Sequence, residues 1–144
     1  MFLMNKSLAA KRIIRLIDAN ANRLTEGLRV CEDIARFILD DRSATRRLKS
    51  IRHRAFFALK HLGADKALLL KFRDSGADVG KMSIKSERKR CTLTDIFKAN
   101  AKRSEESMRV LEEFAKLSSV ASADAFKQMR FELYSLEKSI VEKL

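Results

Sequence analysis

The sequence contains no proline and no tryptophan, and it has only four glycines among its 144 residues. Because proline breaks helices and glycine commonly ends them, their scarcity favours long uninterrupted helices over a sheet. The two cysteines match no metal-binding or disulfide spacing. No apolar run approaches the roughly 20 residues that a membrane-spanning helix needs. We therefore expect one helical domain covering residues 1–144, with no membrane partner.

The chain also lacks charge balance, since its formal net charge is +12 and its isoelectric point is about 10.1. Such an excess of positive charge indicates an anionic partner: nucleic acid, a membrane surface or a phosphorylated small molecule. Residues 1–7 do not form a signal-peptide pattern, because polar Asn5 and Lys6 directly follow a short apolar start. We expect a cytoplasmic protein.

Apolar residues recur at helical spacing in four segments. Ser7 is the predicted N-cap of the first, Gly63 the predicted end of the second, Thr92 the start of a capping box, and Ser122 the cap of the fourth. The predicted helices span about residues 7–40, 43–63, 92–117 and 122–144. A connector of about residues 64–91 separates the second from the third, and such long loops are usually functional or disordered.

The chain contains an internal repeat, because a shift of 80 residues lays the first predicted helix on the third. The identical pairs are Ala19–Ala99, Asn20–Asn100, Ala21–Ala101, Arg23–Arg103, Glu26–Glu106, Arg29–Arg109, Val30–Val110, Glu32–Glu112 and Ala35–Ala115. The second and fourth helices also match, with a two-residue slip. The repeat halves, about residues 8–63 and 92–144, predict an all-α four-helix bundle built from two duplicated helical hairpins.

Two asparagines of the repeat, Asn20 and Asn100, lie within the apolar stripes of their helices, where an amide without partners is costly. The two amides could pair across the pseudo-two-fold axis, or they could hold a ligand in a pocket of the bundle. Gly27 and its counterpart Ser107 are both small, which indicates close approach of a helix or a ligand. Helix crossing is the simpler interpretation of that pair.

The remaining charged repeat residues point away from the apolar stripes on a helical projection. This interpretation covers Arg29, Glu32 and their counterparts Arg109 and Glu112. We expect all four on a solvated face, in ion pairs within their own helices.

The connector segment from Arg73 to Lys81 is the other dense group of polar residues. It falls one residue short of a phosphate-binding P-loop, and Met82 stands where Ser or Thr should hold magnesium, so we exclude that motif. The remaining arginine, aspartates Asp74 and Asp78, and lysine suit a magnesium–phosphate contact. An ordinary polar turn fits the same spacing.

Four separated segments together resemble a known family. They are residues 17–37, residues 48–53, Arg73-Asp74 with Asp78-Val79-Gly80, and residues 99–116. The chain is similar to the hydroxymethylpyrimidine-phosphate kinase family of thiamine biosynthesis, a small helical domain often fused ahead of thiamine-phosphate synthase and also found alone. Cys31, Ile34 and Ser75 depart slightly from the family pattern. The resemblance implies a standalone form of this domain.

The resemblance implies transfer of the γ-phosphoryl group of ATP to 4-amino-5-hydroxymethyl-2-methylpyrimidine phosphate, with magnesium as cofactor. Its implied catalytic residues, acting as phosphate clamps, are Arg23, Arg103 and Arg73. Its implied substrate-binding residues are Asn20, Asn100, Glu26, Glu106, Gly27 and Lys81, and its implied magnesium ligands are Asp74 and Asp78. The resemblance implies thiamine-phosphate synthase as a partner. Whether the chain forms a homo-oligomer is left open.

Two other classes of function compete with the kinase. Basic runs at residues 42–54 and 85–90 suit a non-catalytic helical module that binds nucleic acid or a partner protein. However, no aromatic residues are interleaved for base stacking and no reading motif is present, so we expect no specific nucleic acid. A scaffold bundle would need only the amphipathic helices, and it leaves Asn20 and Asn100 unexplained.

Overall fold

The computed structural model describes residues 7–144, and every regular element within them is helical. The α-helices are α1 (Leu8–Asp33), α2 (Arg42–His61), α3 (Lys66–Phe72), α4 (Leu93–Ala115) and α5 (Val120–Val141). A π-helical turn, Ile34–Ile38, continues α1, and a 3-10 turn, Lys85–Glu87, lies in the connector. The all-α prediction is confirmed. The prediction that the chain starts without a signal-peptide pattern concerns residues 1–6, which lie outside the described residues.

Several helix ends follow the predicted capping signals. The Ser7 hydroxyl accepts a hydrogen bond from the Ala10 amide at 3.2 Å. Thr92 and Asp95 form the predicted capping box, in which each side chain accepts a bond from the other's backbone N–H at 3.0 Å. Gly63, just past the end of α2, has a φ of +74°, a conformation that glycine adopts without steric cost.

Two helices begin slightly before their predicted starts. Helix α2, predicted to begin near residue 43, is capped by Asp41, and Ser119 caps α5 in place of Ser122. Aspartate and serine are both favourable N-cap residues. Ser122 is instead buried, and its hydroxyl donates to the Ala58 carbonyl at 3.1 Å, which joins α5 to α2.

The bundle is organised around the two helices that carry the repeat. Helix α1 packs against α4, α2 and α3, while α5 packs against α4 and α2. The largest fully buried side chains are Phe97, Phe126, Ile14, Leu24, Leu28, Leu48, Ile51, Met108, Leu111, Met129, Leu133 and Leu136. Both hairpins therefore share one core, and α3 is an addition from the connector. No helix within residues 7–144 combines the length and apolarity needed to cross a bilayer.

Each hairpin is joined by an equivalent ion pair between its two helices. Arg52 donates to Glu32 at 3.1 Å, and Arg130 donates to Glu112 at 2.7 Å. Both glutamates are buried, so the prediction that they lie on a solvated face is wrong. The arginines three residues before each glutamate stay exposed, as expected, and pair with the same carboxylates. Four of the repeated charged residues thus hold the hairpins together.

Gly27 lies where α1 and α4 cross. A Cβ at this position would lie 2.3 Å from the Ser104 hydroxyl and 2.7 Å from the Asn100 carbonyl oxygen. The Ser104 hydroxyl also donates to the Leu24 carbonyl at 3.2 Å. The absence of a side chain at Gly27 therefore permits close contact of two backbones, which is the helix-crossing interpretation.

Candidate functional site

The connector is fastened to α1 by side-chain hydrogen bonds. Arg73 donates to Asp18 through Nε and Nη2, with both distances 2.7 Å. Asp18 is buried on α1, and its hydrogen bonds and negative charge hold the pKa of the Arg73 guanidinium above its usual range. Arg15 donates to the Asp74 carbonyl at 2.8 Å. These bonds place the connector along one side of α1, where it forms a wall of a cleft.

That cleft, which we call the interhelical cleft, lies between α1, α4 and the connector and has a volume of about 880 Å³. Its lining residues are Ala19, Asn20, Arg23, Asp78, Gly80, Lys81, Met82, Ser83, Glu87, Arg90, Ala99, Asn100, Lys102, Arg103, Glu106, Ser107 and Val110. The fold therefore brings both copies of the Asn-x-x-Arg pair to one place, together with Lys81 and Asp78 of the connector.

The interhelical cleft carries an excess of positive charge. Its basic residues are Arg23, Lys81, Arg90, Lys102 and Arg103, and its acidic residues are Asp78, Glu87 and Glu106. Arg23 and Arg103 are exposed, and neither guanidinium makes a hydrogen bond or ion pair within residues 7–144. Charged donors without protein partners in a concave site suit a bound anion, above all a phosphate.

The two repeated asparagines do not pair with each other. The Asn20 amide donates to the Leu16 carbonyl at 3.0 Å, and the Asn100 amide donates to the equivalent Ile96 carbonyl at 2.8 Å. Both side chains line the interhelical cleft. The predicted pairing across the pseudo-two-fold axis is therefore wrong, and each amide is held by its own helix beside an open space.

The connector aspartates occupy two adjoining spaces. Asp74 accepts from the N–H three residues later at 3.1 Å, and Asp78 accepts from the Gly80 amide at 2.9 Å. A smaller pocket of about 460 Å³, which we call the connector pocket, is lined by Arg12, Arg15, Leu16, Asp18, Ala19, Asn22, Arg23, Arg73, Asp74, Ser75, Ala77, Asp78 and Val79. Asp78 and Arg23 line both the connector pocket and the interhelical cleft, whereas Asp74 lines the connector pocket alone.

The protein side chains of the site do not form a complete metal site by themselves. Within residues 7–144, no group of three or more His, Cys, Asp or Glu side chains could hold a metal ion. Magnesium that is bound together with phosphates keeps several waters and uses one or two protein carboxylates. The carboxylates that line the interhelical cleft are Asp78, Glu87 and Glu106.

A comparison with protein families decides the assignment of the chain. The model of the ThiD2 family matches residues 15–139, which includes both hairpins and the connector. The chain belongs to the ThiD2 family.

The ThiD2 chain is similar to part of several longer proteins named thiamine-phosphate synthase. It is 35% identical to that of Rhodopirellula baltica over 136 residues, which are 94% of this chain and 36% of that protein. It is 37% identical to that of Synechocystis sp. over 130 residues, or 90% of this chain and 36% of that protein. It is 39% identical to that of Synechococcus sp. (strain CC9311) over 134 residues, which are 93% of this chain and 36% of that protein.

The chain thus spans about a third of the length of the curated relatives it matches. No solved structure gives a significant match. The expected relation to a family of thiamine biosynthesis is confirmed, while the kinase activity stays a prediction.

Two of the predicted substrate-binding residues lie outside the interhelical cleft of the ThiD2 chain. Gly27 is covered by α4 at the helix crossing. Glu26 lines a different space between α1 and α2, so it is separated from its repeat counterpart Glu106. Arg73, predicted as a phosphate clamp, uses two of its nitrogens to bind Asp18, which makes it a tether for the connector.

The sequence reasoning missed several residues that build the site. Asp18 anchors the connector, while Lys102 and Arg90 add positive charge to the interhelical cleft. A signal for Asp18 was present, because it falls four residues after Ile14 and three before Ala21, inside the apolar stripe of α1. A carboxylate in such a stripe requires a cationic partner, although the sequence could not identify Arg73 as that partner.

A further buried carboxylate, Glu105, lies on α4 among the core residues and away from the interhelical cleft. Its Oε1 atom has no hydrogen-bond partner within residues 7–144. Burial, together with the neighbouring carboxylate of Glu137, raises the pKa of Glu105 from 4.5 to about 8. Arg109, one helical turn after Glu105, does not neutralise it, since Arg109 binds Glu112 and the adjacent glutamate.

Proposed function

We propose that the ThiD2 chain transfers the γ-phosphoryl group of ATP to 4-amino-5-hydroxymethyl-2-methylpyrimidine phosphate, which gives the pyrimidine diphosphate and ADP. The observation that carries this proposal is the interhelical cleft, where Arg23 and Arg103 from the two repeat halves line one cation-rich space without protein partners. The family relation to proteins named thiamine-phosphate synthase supports a role in thiamine biosynthesis.

The chemistry needs positioned cations more than it needs a strong base. A phosphate monoester with a second pKa near 6 is mostly dianionic at neutral pH, so its oxygen can attack the γ-phosphorus without prior deprotonation. The attacking oxygen forms the new P–O bond while the bond to ADP breaks in line with it. Neither His53 nor His61 lines the interhelical cleft, which agrees with a reaction that needs no strong base.

The residues of the interhelical cleft divide into three proposed roles. Arg23 and Arg103 clamp phosphates, assisted by Lys81 from the connector. Asn20 and Asn100 present amide groups held by their own helices. Asp78 and Glu106 would hold magnesium through its waters, and the ion would neutralise phosphate charge. Arg73 and Asp74 then act indirectly, by fixing the connector.

The repeat supports a division of labour between the two halves. Each half supplies one asparagine and one arginine to the interhelical cleft, and the reaction has two phosphorylated substrates. We propose that one half holds the ATP phosphates and the other holds the acceptor phosphate. The diphosphate product would pass to thiamine-phosphate synthase, a proposed partner in the cytoplasm.

A direct assay tests the proposed function. The purified chain is incubated with MgATP and either the pyrimidine monophosphate or its unphosphorylated alcohol, and the products are separated by anion-exchange chromatography. We expect the diphosphate from the monophosphate alone, because only that acceptor brings the phosphate that the cleft binds. No diphosphate from a folded chain, beside an active control kinase, would reject the proposal and leave a non-catalytic anion-binding module as the alternative.

A further inference from the structure

A groove between α1 and α2 combines aromatic walls with a free carboxylate. This α1–α2 groove has a volume of about 820 Å³ and is lined by Asn22, Thr25, Glu26, Arg29, Arg52, His53, Phe56, Phe57 and Lys66. We propose that the α1–α2 groove binds a 4-aminopyrimidine ring, with Glu26 accepting a hydrogen bond from the exocyclic amine and the phenylalanines contacting the ring. This inference rests on the proposed function for the identity of the ligand.

Glu26 is the carboxylate of the α1–α2 groove that is left for a ligand. The two arginines of the groove, Arg29 and Arg52, both lie against buried Glu32, at 3.5 and 3.1 Å. Glu26 is exposed and makes no hydrogen bond or ion pair within residues 7–144. An amine of a heteroaromatic ring would give this carboxylate a charge-assisted hydrogen bond.

The aromatic side chains of the groove are exposed. Phe56 is 45% exposed and Phe57 is 56% exposed. Their ring centroids are 5.7 Å apart in an edge-to-face arrangement, and Lys66 lies over Phe56 at 5.6 Å. The ring of Phe57 is therefore the freer surface for a planar ligand. Covering it would remove apolar area from water and add an aromatic contact.

At the corresponding position of the second hairpin, a protein cation already contacts the aromatic rings. There, Arg130 lies over Phe131 at 5.3 Å and over Tyr134 at 5.9 Å, and it donates to the Tyr134 hydroxyl. Tyr134 is the repeat counterpart of Phe56. The two hairpins thus differ in that an arginine of the protein lies over the exposed rings of the second, whereas the first has its exposed rings beside a free glutamate.

The α1–α2 groove leads toward the interhelical cleft along one side of α1. Asn22 lines both the groove and the connector pocket, and Arg23 lines both the connector pocket and the cleft. Glu26 and Arg23 are three residues apart on one helix, so their Cβ atoms are separated by about 5–6 Å. A pyrimidine ring at Glu26 would place a phosphate on its short methylene arm near Arg23. The adenine of ATP, which is also a 4-aminopyrimidine, lies much farther from its γ-phosphate, so the geometry favours the acceptor.

The first test is direct binding, which does not depend on turnover. The full chain, isotope-labelled, is titrated with the unphosphorylated pyrimidine alcohol and separately with adenosine, and NMR shifts of His53, Phe56 and Phe57 are followed. We expect the pyrimidine alcohol to shift these signals and Glu26→Gln to weaken its Kd by about tenfold, the loss of one charge-assisted bond. Shifts with adenosine alone would support the same ring chemistry with the nucleotide as its source. Glu142→Gln, an exposed carboxylate at the end of α5, is the matched control.

The second test separates this inference from the proposed function. Under turnover conditions, Glu26→Gln should raise the KM for the pyrimidine phosphate while the KM for ATP and kcat stay near wild-type values. Binding of the alcohol in the α1–α2 groove without any turnover would support the groove and reject the kinase. Turnover by a folded Glu26→Gln variant with wild-type KM values, or NMR shifts confined to the interhelical cleft, would overturn the groove and leave the kinase standing.

Discussion

Asp18 accepts hydrogen bonds from Nε and Nη2 of Arg73, both at 2.7 Å, although the two residues are 55 positions apart in the sequence. One partner lies on the central helix of the bundle and the other lies at the end of α3, where the connector begins its course along the interhelical cleft. This bidentate bond, together with the bond from Arg15 to the Asp74 carbonyl, holds the connector as a wall of the cleft.

Asp18→Asn should loosen the connector without unfolding the bundle. The substitution removes the charge that Arg73 binds, so residues 73–91, which are rich in lysine and arginine, become easier to cleave. We expect limited trypsin digestion in this segment to accelerate by about tenfold, because local opening costs less free energy. Circular dichroism should show unchanged helical content. Asp33→Asn, an exposed aspartate on the same helix, is the control, and equal digestion rates for both variants would show that the tether does not hold the connector.

Gly27→Ala should destabilise the bundle at the crossing of α1 and α4. The new Cβ would lie 2.7 Å from the Asn100 carbonyl oxygen, a backbone atom that cannot rotate away. We expect the free energy of unfolding to fall by about 1–3 kcal/mol, the usual cost of overpacking a tight contact. Urea denaturation measures this loss. Ser104→Ala removes the clash with the hydroxyl, but it also removes the hydrogen bond from that hydroxyl to the Leu24 carbonyl, so it serves as the background variant. In the Ser104→Ala background, Gly27→Ala should still lower the free energy of unfolding, and no further loss would contradict the backbone contact.

Stability should fall as pH rises, because of Glu105. Burial and the carboxylate of Glu137 raise the pKa of Glu105 to about 8 in the folded chain, from 4.5. Below pH 4.5 the Glu105 carboxyl is protonated in both the folded and the unfolded chain. Between pH 4.5 and about 8 it ionises only in the unfolded chain, which lowers the free energy of unfolding as pH rises. Glu105→Gln should therefore raise Tm relative to the wild type at pH 8 and lose this advantage toward pH 5. Glu142→Gln should show no such trend. A Tm difference for Glu105→Gln that is constant with pH would contradict a raised pKa.

The repeat and the helices could be predicted from the sequence because they depend on local patterns. Apolar spacing, the Ser7 cap and the Thr92 capping box each depend on residues only a few positions apart. The alignment of Asn20 with Asn100 needs only a comparison of the sequence with itself. Helix α3 was missed because it has only seven residues and lies inside a polar connector. Contacts between distant segments, such as Asp18 with Arg73, were not accessible in this way.

The error over Glu32 and Glu112 has a specific physical cause. Both residues lie at the margin of the apolar stripe, where a helical projection cannot say whether a second helix covers them. Their partners Arg52 and Arg130 match under the two-residue slip between the second helices, and this matched basic pair was the signal that could have predicted the ion pairs. By contrast, the placement of Asn20, Arg23, Asn100 and Arg103 in one cleft follows from the duplication itself.

The rate of diphosphate formation in arginine variants tests the central claim most directly. The chain is mixed with MgATP and the pyrimidine monophosphate, and the new diphosphate signals are followed by phosphorus NMR. We predict turnover by the wild type, a loss of at least about tenfold for Arg23→Ala and for Arg103→Ala through lost phosphate stabilisation, and an unchanged rate for Arg46→Ala, an exposed arginine outside the cleft. Wild-type rates in both cleft variants would contradict the account, because the interhelical cleft would then not be the site of phosphoryl transfer.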